Sequence, residues 1–483
     1  MKLIIADLKP ALAWEHFYQL SQIPRCSGNE EAAGKYIISV AEKNNLTCRK
    51  DKSGNVIVSK PASAGMEQRP SVVLQGHTDM VGEKNNDTLH DFLKDPIRLV
   101  RDGEWIKADG TTLGSDNGIG VAYALAVMED KTLVHPPMEF LFTVDEETGL
   151  TGANALKSDF VKSRILLNLD SEEEGAFYIG CAGGKHTVLR KKVTWKKPEN
   201  GWKSYKVSVG GLKGGHSGLN IDQGLGNSIK LLSRFLFELS DKFDFALAAI
   251  SGGNKHNAIP REAESSISVP ANKVRILQNF VKDMATIFKK ELQFVDAGVF
   301  VKLEPAEKIK QVFSPDLQHK LINLLYAMPH GVMAMSHAIT GLVETSTNMA
   351  IVQTKAKEVE LLTSQRSSVA SAILDIADKV KALGELASFN VEQGGGYPAW
   401  QPNPNSAVLK LAVETYEKTY GKKPEVKAIH AGLECGIIGE KYDGMDMLSF
   451  GPTIMGAHSP DERVHIPAVE KTWDYLLHLL KVI

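Results

Sequence analysis

Val72-Val73-Leu74-Gln75-Gly76-His77-Thr78-Asp79 is the stretch from which the fold can be read. It begins as an apolar run and stops on an imidazole and a carboxylate. Two other runs end in a similar way. Leu141-Phe142-Thr143-Val144 leads, after Asp145, into Glu146-Glu147, and Ile165-Leu166-Leu167-Asn168-Leu169 ends on Asp170. Short aliphatic and β-branched runs bounded by polar residues suit buried strands, and parallel strands read in this continuous apolar way. Ligands of open α/β sheets bind beyond the carboxyl ends of the strands. Three such ends bearing His, Glu and Asp predict one shared polar site.

Working outward, the flanking segments alternate between helix and strand. Ser27-Gly28-Asn29-Glu30 has capping-box spacing and predicts a helix through Ala32, Tyr36, Ile37 and Val40. Asn55-Val56-Ile57-Val58 predicts a strand, and Asp116-Asn117-Gly118-Ile119-Gly120 a loop feeding a buried helix over Val121 to Met128. This alternation to about Asp170 implies a mixed, mainly parallel sheet flanked by helices. Near residue 185 the pattern changes. Tyr205-Lys206-Val207-Ser208-Val209 alternates as a half-exposed antiparallel strand does, and Ile229, Leu232, Leu236 and Leu239 recur at helical spacing. Helix and strand signals continue through Ala370–Leu383 to Gly394-Gly395-Gly396, after which Ala407–Tyr420 reads as an amphipathic helix and Met447-Leu448-Ser449-Phe450 as a buried strand. The expected architecture is an α/β domain in two parts, 1–184 and 400–483, with an α+β lid domain inserted at 185–399.

Composition narrows the function. At 483 residues the chain exceeds the ~250–300 residues at which single cores stop growing. A net charge of −2, with 24% charged residues, recommends neither nucleic acid nor an anionic membrane as partner. No apolar stretch has spanning length, and Met1-Lys2-Leu3-Ile4-Ile5-Ala6-Asp7 is too short for a secretion signal. Cys26, Cys48, Cys181 and Cys435 are scattered without a CxxC pair, as expected of reduced thiols in a cytoplasmic protein.

Each polar ending also has an ordinary reading. His77-Thr78-Asp79 puts an imidazole and a carboxylate on one face of a strand, where the acid could orient a metal-binding ring, but the triplet is common. Adjacent Glu146 and Glu147 point in different directions, so one could bind metal while the other faces water; most such pairs are simply solvated. Asp116 fits an Asx turn, and Asp170 opens the charged loop Asp170-Ser171-Glu172-Glu173-Glu174.

Together these stretches resemble the M20 family of co-catalytic zinc peptidases. The resemblance is carried by Gln75–Val81, Thr111–Gly120, Glu146-Glu147-Thr148-Gly149, Asp170–Gly175, Gly214-Gly215-His216-Ser217-Gly218, His430–Gly436 and Gly456–Glu462. They span nearly the whole chain in order. The resemblance implies His77, Asp116, Glu147, Asp170 and His458 as ligands of two Zn²⁺, with Asp116 bridging and Mn²⁺ or Co²⁺ able to substitute. It implies Asp79 as the residue orienting His77, and Glu146 as general base toward a metal-bridging hydroxide. Three ligand carboxylates and one hydroxide would balance two divalent ions. Zinc lowers the pKa of a bound water to about 7.

In the inserted domain, Gly214–Gly218 lacks the Lys-Ser/Thr ending of a phosphate loop. The resemblance instead implies His216 as an oxyanion donor from the lid. It places substrate-binding residues at Asn257, at Arg366, whose fork suits a carboxylate, and at Gly432, where backbone approaches substrate. Glu434 would read a free amino group, and Cys435 reads as structural. The implied activity is dipeptide hydrolysis, Xaa-His and carnosine-like substrates included. An Asp at 170 is the choice of family members acting on free-amino substrates. The rivals are an aminoacylase- or carboxypeptidase-like relative and a non-catalytic peptide-binding relative. Whether His216 acts within its own chain or across a homodimer stays open.

Overall fold

A computed structural model describes residues 4–483; Met1 to Leu3, part of the segment read as too short for a secretion signal, lie outside the described residues. The chain divides into two compact units, 1–181 with 402–428 and 433–483, and 182–401 with 429–432. The segment 429–432 thus groups with the inserted unit rather than with the second part of the α/β domain. Its reason is local: Ala182 N–H donates to the carbonyls of Ile429 and Ala431, and His430 Nε2 meets Ser346 Oγ at 2.7 Å.

The first unit is built on an eight-stranded mixed sheet. Its strands run in the order Thr47–Lys50, Val56–Lys60, Met138–Thr143, Val72–His77, Ile165–Asn168, Asp446–Ser449, Ala176–Cys181 and Glu425–Ile429. The four central strands, from Met138–Thr143 to Asp446–Ser449, pair in parallel. Parallel pairing stops there: Val56–Lys60 joins the sheet antiparallel on one side and Ala176–Cys181 on the other. Val72–His77 and Met138–Thr143 are buried along their whole lengths, as strands covered on both faces should be. The register places His77 beside Thr143 and Gln75 beside Asn168, so the polar endings of three strands arrive at one edge.

Helix Ser115–Glu129 is apolar on all sides from Ile119 to Met128 and buried throughout that length. Its first turn departs from helical geometry at Asp116 and Asn117, which leaves the Asp116 side chain free to leave the helix. The expected capping box at Ser27–Glu30 does not form: helix Glu31–Lys43 starts without a side-chain cap. Ser27 Oγ donates to Asp79 Oδ2 at 2.7 Å, and Glu30 Oε1 accepts from the N–H groups of Gly28 and Asp145. Both side chains are drawn toward the strand ends instead.

The second unit holds a nine-stranded antiparallel sheet, in which Val343–Thr354, Glu358–Ser367, Gly183–Lys192 and Asn390–Tyr397 are consecutive neighbours. Alternation sorts its residues by face. Leu189, Val359 and Leu361 enter a core with Leu232, Phe235 and Phe288 of the covering helices. His186, Ser364 and Arg366 occupy the alternate positions and face away from that core. Helix Ser228–Ser240 begins at Asn227, whose Oδ1 accepts from the N–H groups of Ile229 and Lys230. Among the described residues no helix is long and apolar enough to cross a membrane.

Candidate active site

In the first unit the strand ends, a helix start and a late turn bring together His77, Asp79, Asp116, Glu146, Glu147, Asp170 and His458. His77 Nε2 lies 3.1 Å from Asp116 Oδ1 and 3.3 Å from Asp170 Oδ1. His458 Nε2 lies 3.2 Å from Asp116 Oδ2 and 2.9 Å from Glu147 Oε2. Four trios have their possible ligand atoms within 4.8 Å of one another: His77–Glu146–Glu147 and Glu30–Asp79–Asp145 lack Asp116, whereas His77–Asp116–Asp170 and Asp116–Glu147–His458 contain it. In the latter two, Asp116 offers a different oxygen to each histidine.

The electrostatics follow from crowding carboxylates where water is scarce. Burial pushes Asp170 up to about 7, against the pull of His77. Burial also pushes Glu146 well above the usual carboxylate range, again opposed by His77. The hydrogen bonds that His458 donates to Asp116 and then Glu147 raise its pKa to about 11. Burial would favour neutral His77, but Asp170 and Asp116 push it well above its ordinary value. The carboxylates thus select positive charge. Among the described residues, the charged groups within ion-pair distance of Asp116, Glu147 and Asp170 are histidines, not lysines or arginines.

Asp79 is fully buried beneath His77, with Oδ1 3.3 Å from Nδ1. Its oxygens accept from the backbone N–H groups of Glu146 and Glu147 and from Ser27. Burial alone would raise its pKa; His77 and these donors hold it well below the carboxylate range. Asp79 therefore ties the imidazole to the turn that presents the glutamate pair.

The second unit gathers a different set. His216 Nδ1 accepts from the N–H groups of Gly218 and Leu219, at 3.3 and 3.1 Å. Burial, then Arg366 and His256, pull its pKa to about 4, so the ring is neutral at pH 7 and its proton belongs on Nε2. That Nε2 lies 3.4 Å from Arg366 Nη2. Two donors meet with no acceptor between them, the arrangement of an anion-binding pair. Tyr397 OH accepts from Arg366 Nη1 at 2.7 Å. The Asn257 carbonyl accepts from Ser217 N–H at 2.8 Å, while the Asn257 side chain is exposed. At Gly432 an added Cβ would lie 2.6 Å from the Tyr397 ring, so this close approach requires glycine.

These features can be set beside known proteins. The sequence profile described as peptidase family M20/M25/M40 matches residues 73–482. The chain belongs to this family. It is 44% identical over 479 residues, 99% of each chain, to the cytosol non-specific dipeptidase of Escherichia coli K12. Its structure is similar to that of an aminoacylhistidine dipeptidase from Vibrio alginolyticus, with a TM-score of 0.91, 42% identity, and coverage of 99% of this chain and 98% of the other. A Staphylococcus aureus tripeptidase shares the fold at 16% identity and a TM-score of 0.57, over 98% of both chains.

Within this M20 chain the two trios that share Asp116 fit divalent metal. Imidazole nitrogens with carboxylate oxygens are a donor set that zinc, manganese or cobalt accepts. Glu147 Oε1 is buried without a hydrogen-bond partner, an expensive condition for a carboxylate oxygen unless a cation serves it.

Three supporting residues escaped sequence reasoning. Glu462 is 2% exposed and accepts from the N–H groups of Leu113, Gly114, Ser115 and Asp116. Arg25 donates to the carbonyls of Thr78 and Asp79 at 3.0 Å and also to Gly114. Asn117 Nδ2 donates to Leu169 O at 2.7 Å, linking the Asp116 turn to the residue before Asp170. Glu462 lies four residues after His458 in the Gly456–Glu462 stretch, which was the available signal; Arg25 offered none. Glu434 is buried, its Oε2 accepting from Gln75 and Thr143 at 2.6 Å. Cys435 is fully buried, and burial raises its thiol pKa far above the ordinary value, which leaves it inert as a nucleophile.

Proposed function

We propose that the protein is a cytoplasmic dinuclear metallo-dipeptidase, with zinc as the metal and Xaa-His dipeptides among its substrates. The observation that carries the reading is Asp116 standing between His77 and His458 with one oxygen toward each. His77, Asp116 and Asp170 would hold one ion, and Asp116, Glu147 and His458 the other. Bound in this way, divalent metal supplies Lewis acidity toward the scissile carbonyl and lowers the pKa of water. The cytosolic, dipeptidase and aminoacylhistidine readings rest on the names of the two full-length relatives at 44% and 42% identity.

The chain's own residues then divide the work. Glu146, adjacent to a ligand and raised in pKa by burial, takes a proton from water and returns it to the leaving amine. Such acid–base help is worth about 10²–10⁴-fold. Asp79 keeps the His77 ring in position through Nδ1. His216, with its proton on Nε2, donates to the carbonyl oxygen as charge develops there, and Arg366 holds the substrate's carboxylate. Asn257 and Gly432 contribute to substrate binding through the loops they occupy.

The test is hydrolysis of a dipeptide panel by zinc-reconstituted protein, with N-acylated amino acids and blocked dipeptides alongside. Cleavage of free dipeptides that is lost with a chelator and restored by zinc is expected. Preference for N-acylated amino acids would replace the reading with an aminoacylase, and tight dipeptide binding without turnover would replace it with a binding protein.

A further inference from the structure

The core-averted face of the nine-stranded sheet holds an unusual concentration of unsatisfied groups. Arg366 Nε, His186 Nδ1 and Asn348 Oδ1 are buried there and without hydrogen-bond partners. Register explains why several of them meet. Arg366 is paired with Gly184 on one side and Ser346 on the other; Ser364 is paired with His186 and Asn348. Side chains at directly paired and at alternate positions share a face. Arg366 and His186 therefore stand on neighbouring rows of one surface. Each unmet polar group on it costs stability unless a ligand serves it.

Arg366 accounts for a carboxylate, which leaves His186 unexplained. Its ring packs edge-on against His256 with centroids 4.8 Å apart and planes at 78°. Burial, then His256 and Arg366, pull its pKa down to about 4. A neutral imidazole carries one acceptor nitrogen as well as one donor. On its other flank His186 is paired with Gly394, the first residue of the Gly394-Gly395-Gly396 run. An added Cβ at Gly394 would meet no atom within 4 Å, so the strand leaves open space on the face that His186 occupies. At Gly395 an added Cβ would lie 3.3 Å from His186 Cδ2, so the glycine backbone runs close beside the ring. Glycines within a strand commonly mark close approach by a ligand or another backbone.

We infer that His186 and the side-chain-free edge at Gly394 form the subsite for the side chain of the substrate's C-terminal residue, and that His186 favours a ring bearing an N–H donor, as in histidine. The inference rests on the dipeptidase reading above, with Arg366 on the terminal carboxylate. It assigns the triglycine run a role in specificity, by leaving room beside a ring that hydrogen-bonds. A site built to hydrogen-bond a substrate N–H discriminates against analogues lacking it.

The test compares kcat/KM for Ala-His, Ala-Leu and Ala-Gly with the zinc-reconstituted full chain. His186→Phe keeps a ring and removes both nitrogens. It is expected to lower kcat/KM for Ala-His about tenfold while changing Ala-Leu by less than about twofold. His186→Gln, which restores an acceptor, should recover part of the Ala-His preference. Gly394→Val is expected to penalise Ala-His and Ala-Leu relative to Ala-Gly. Equal losses on all three peptides in both His186 variants, or unchanged ratios in every variant, would overturn the inference. Wild-type protein that cleaves none of the three would instead sink the dipeptidase reading.

Discussion

Glu462 Oε1 accepts from both the backbone N–H and the hydroxyl of Ser115, at 2.7 and 2.6 Å. Ser115 immediately precedes Asp116, the carboxylate shared by two of the ligand trios. One buried carboxylate from the far end of the chain thereby fixes the turn that aims the proposed bridging ligand. Because His458 is four residues from Glu462, a single segment both contributes to the site and secures its centre.

Glu462→Ala should weaken metal binding more than it changes the overall fold. Removing a partner that orients ligands typically costs about 10–100-fold in metal affinity. Competition with a chromophoric chelator would measure this, and circular dichroism would report retained secondary structure. Wild-type affinity in the variant would show that the Asp116 turn is held by other contacts.

Glu146→Gln is expected to retain its metal content while kcat falls by about 10²–10⁴-fold. The amide preserves shape but cannot accept the proton from water. Metal analysis paired with steady-state kinetics separates this outcome from loss of an ion. Near-normal turnover would remove Glu146 from the role of base.

Acid should destabilise the first unit partly through His16. This ring is 3% exposed, lies 2.8 Å from Tyr36 OH, and is 3.3 Å from Glu129. Burial pulls its pKa from 6.5 to about 4, although Glu129 opposes the shift. The unfolded chain therefore binds the proton more readily between those values. The stabilising contribution is fully present above pH 6.5 and is lost as pH falls toward 4, up to about 3 kcal/mol. His16→Gln should flatten the fall in thermal transition temperature between pH 7 and pH 4.5; an unchanged slope would exclude His16 as a contributor.

Asn227→Ala should destabilise the second unit by about 2–4 kcal/mol. The change removes the acceptor capping helix Ser228–Ser240 and also the Nδ2 donor to the buried Met349 carbonyl, 2.9 Å away. Asn227→Ser keeps a capping acceptor and loses the donor, so its stability should fall between those of the wild type and Asn227→Ala. Thermal unfolding of both variants would check the order, and metal content should stay at the wild-type level.

Much of the candidate site is legible in the sequence because its parts sit at the ends of long apolar runs. His77, Glu146, Glu147 and Asp170 each follow a strand whose composition announces burial. Asp116 and His458 were harder, since Asx turns and exposed histidines are ordinary; only the family's ordered motifs linked them. Ser27 and Glu30 show the opposite failure. Their spacing is that of a helix cap, but Asp79 and the N–H of Asp145 compete for the same side chains, and burial makes those bonds worth more. The segment 429–432 groups with the inserted unit for a similar reason, because its hydrogen-bond partners lie far away in sequence.

What the sequence alone determined was the layered α/β scaffold, the place where the polar strand ends meet, and the peptidase family. Periodicity and burial are local properties, so they can be read along a chain. What only the tertiary structure decided was that Asp116 stands between His77 and His458, which side chains hold that turn, and which tautomer His216 adopts. It also decided that His186 and Arg366 share a face with an open edge at Gly394. Those relations depend on register and on competition for hydrogen-bond partners among residues distant in sequence, and no local pattern records which partner wins.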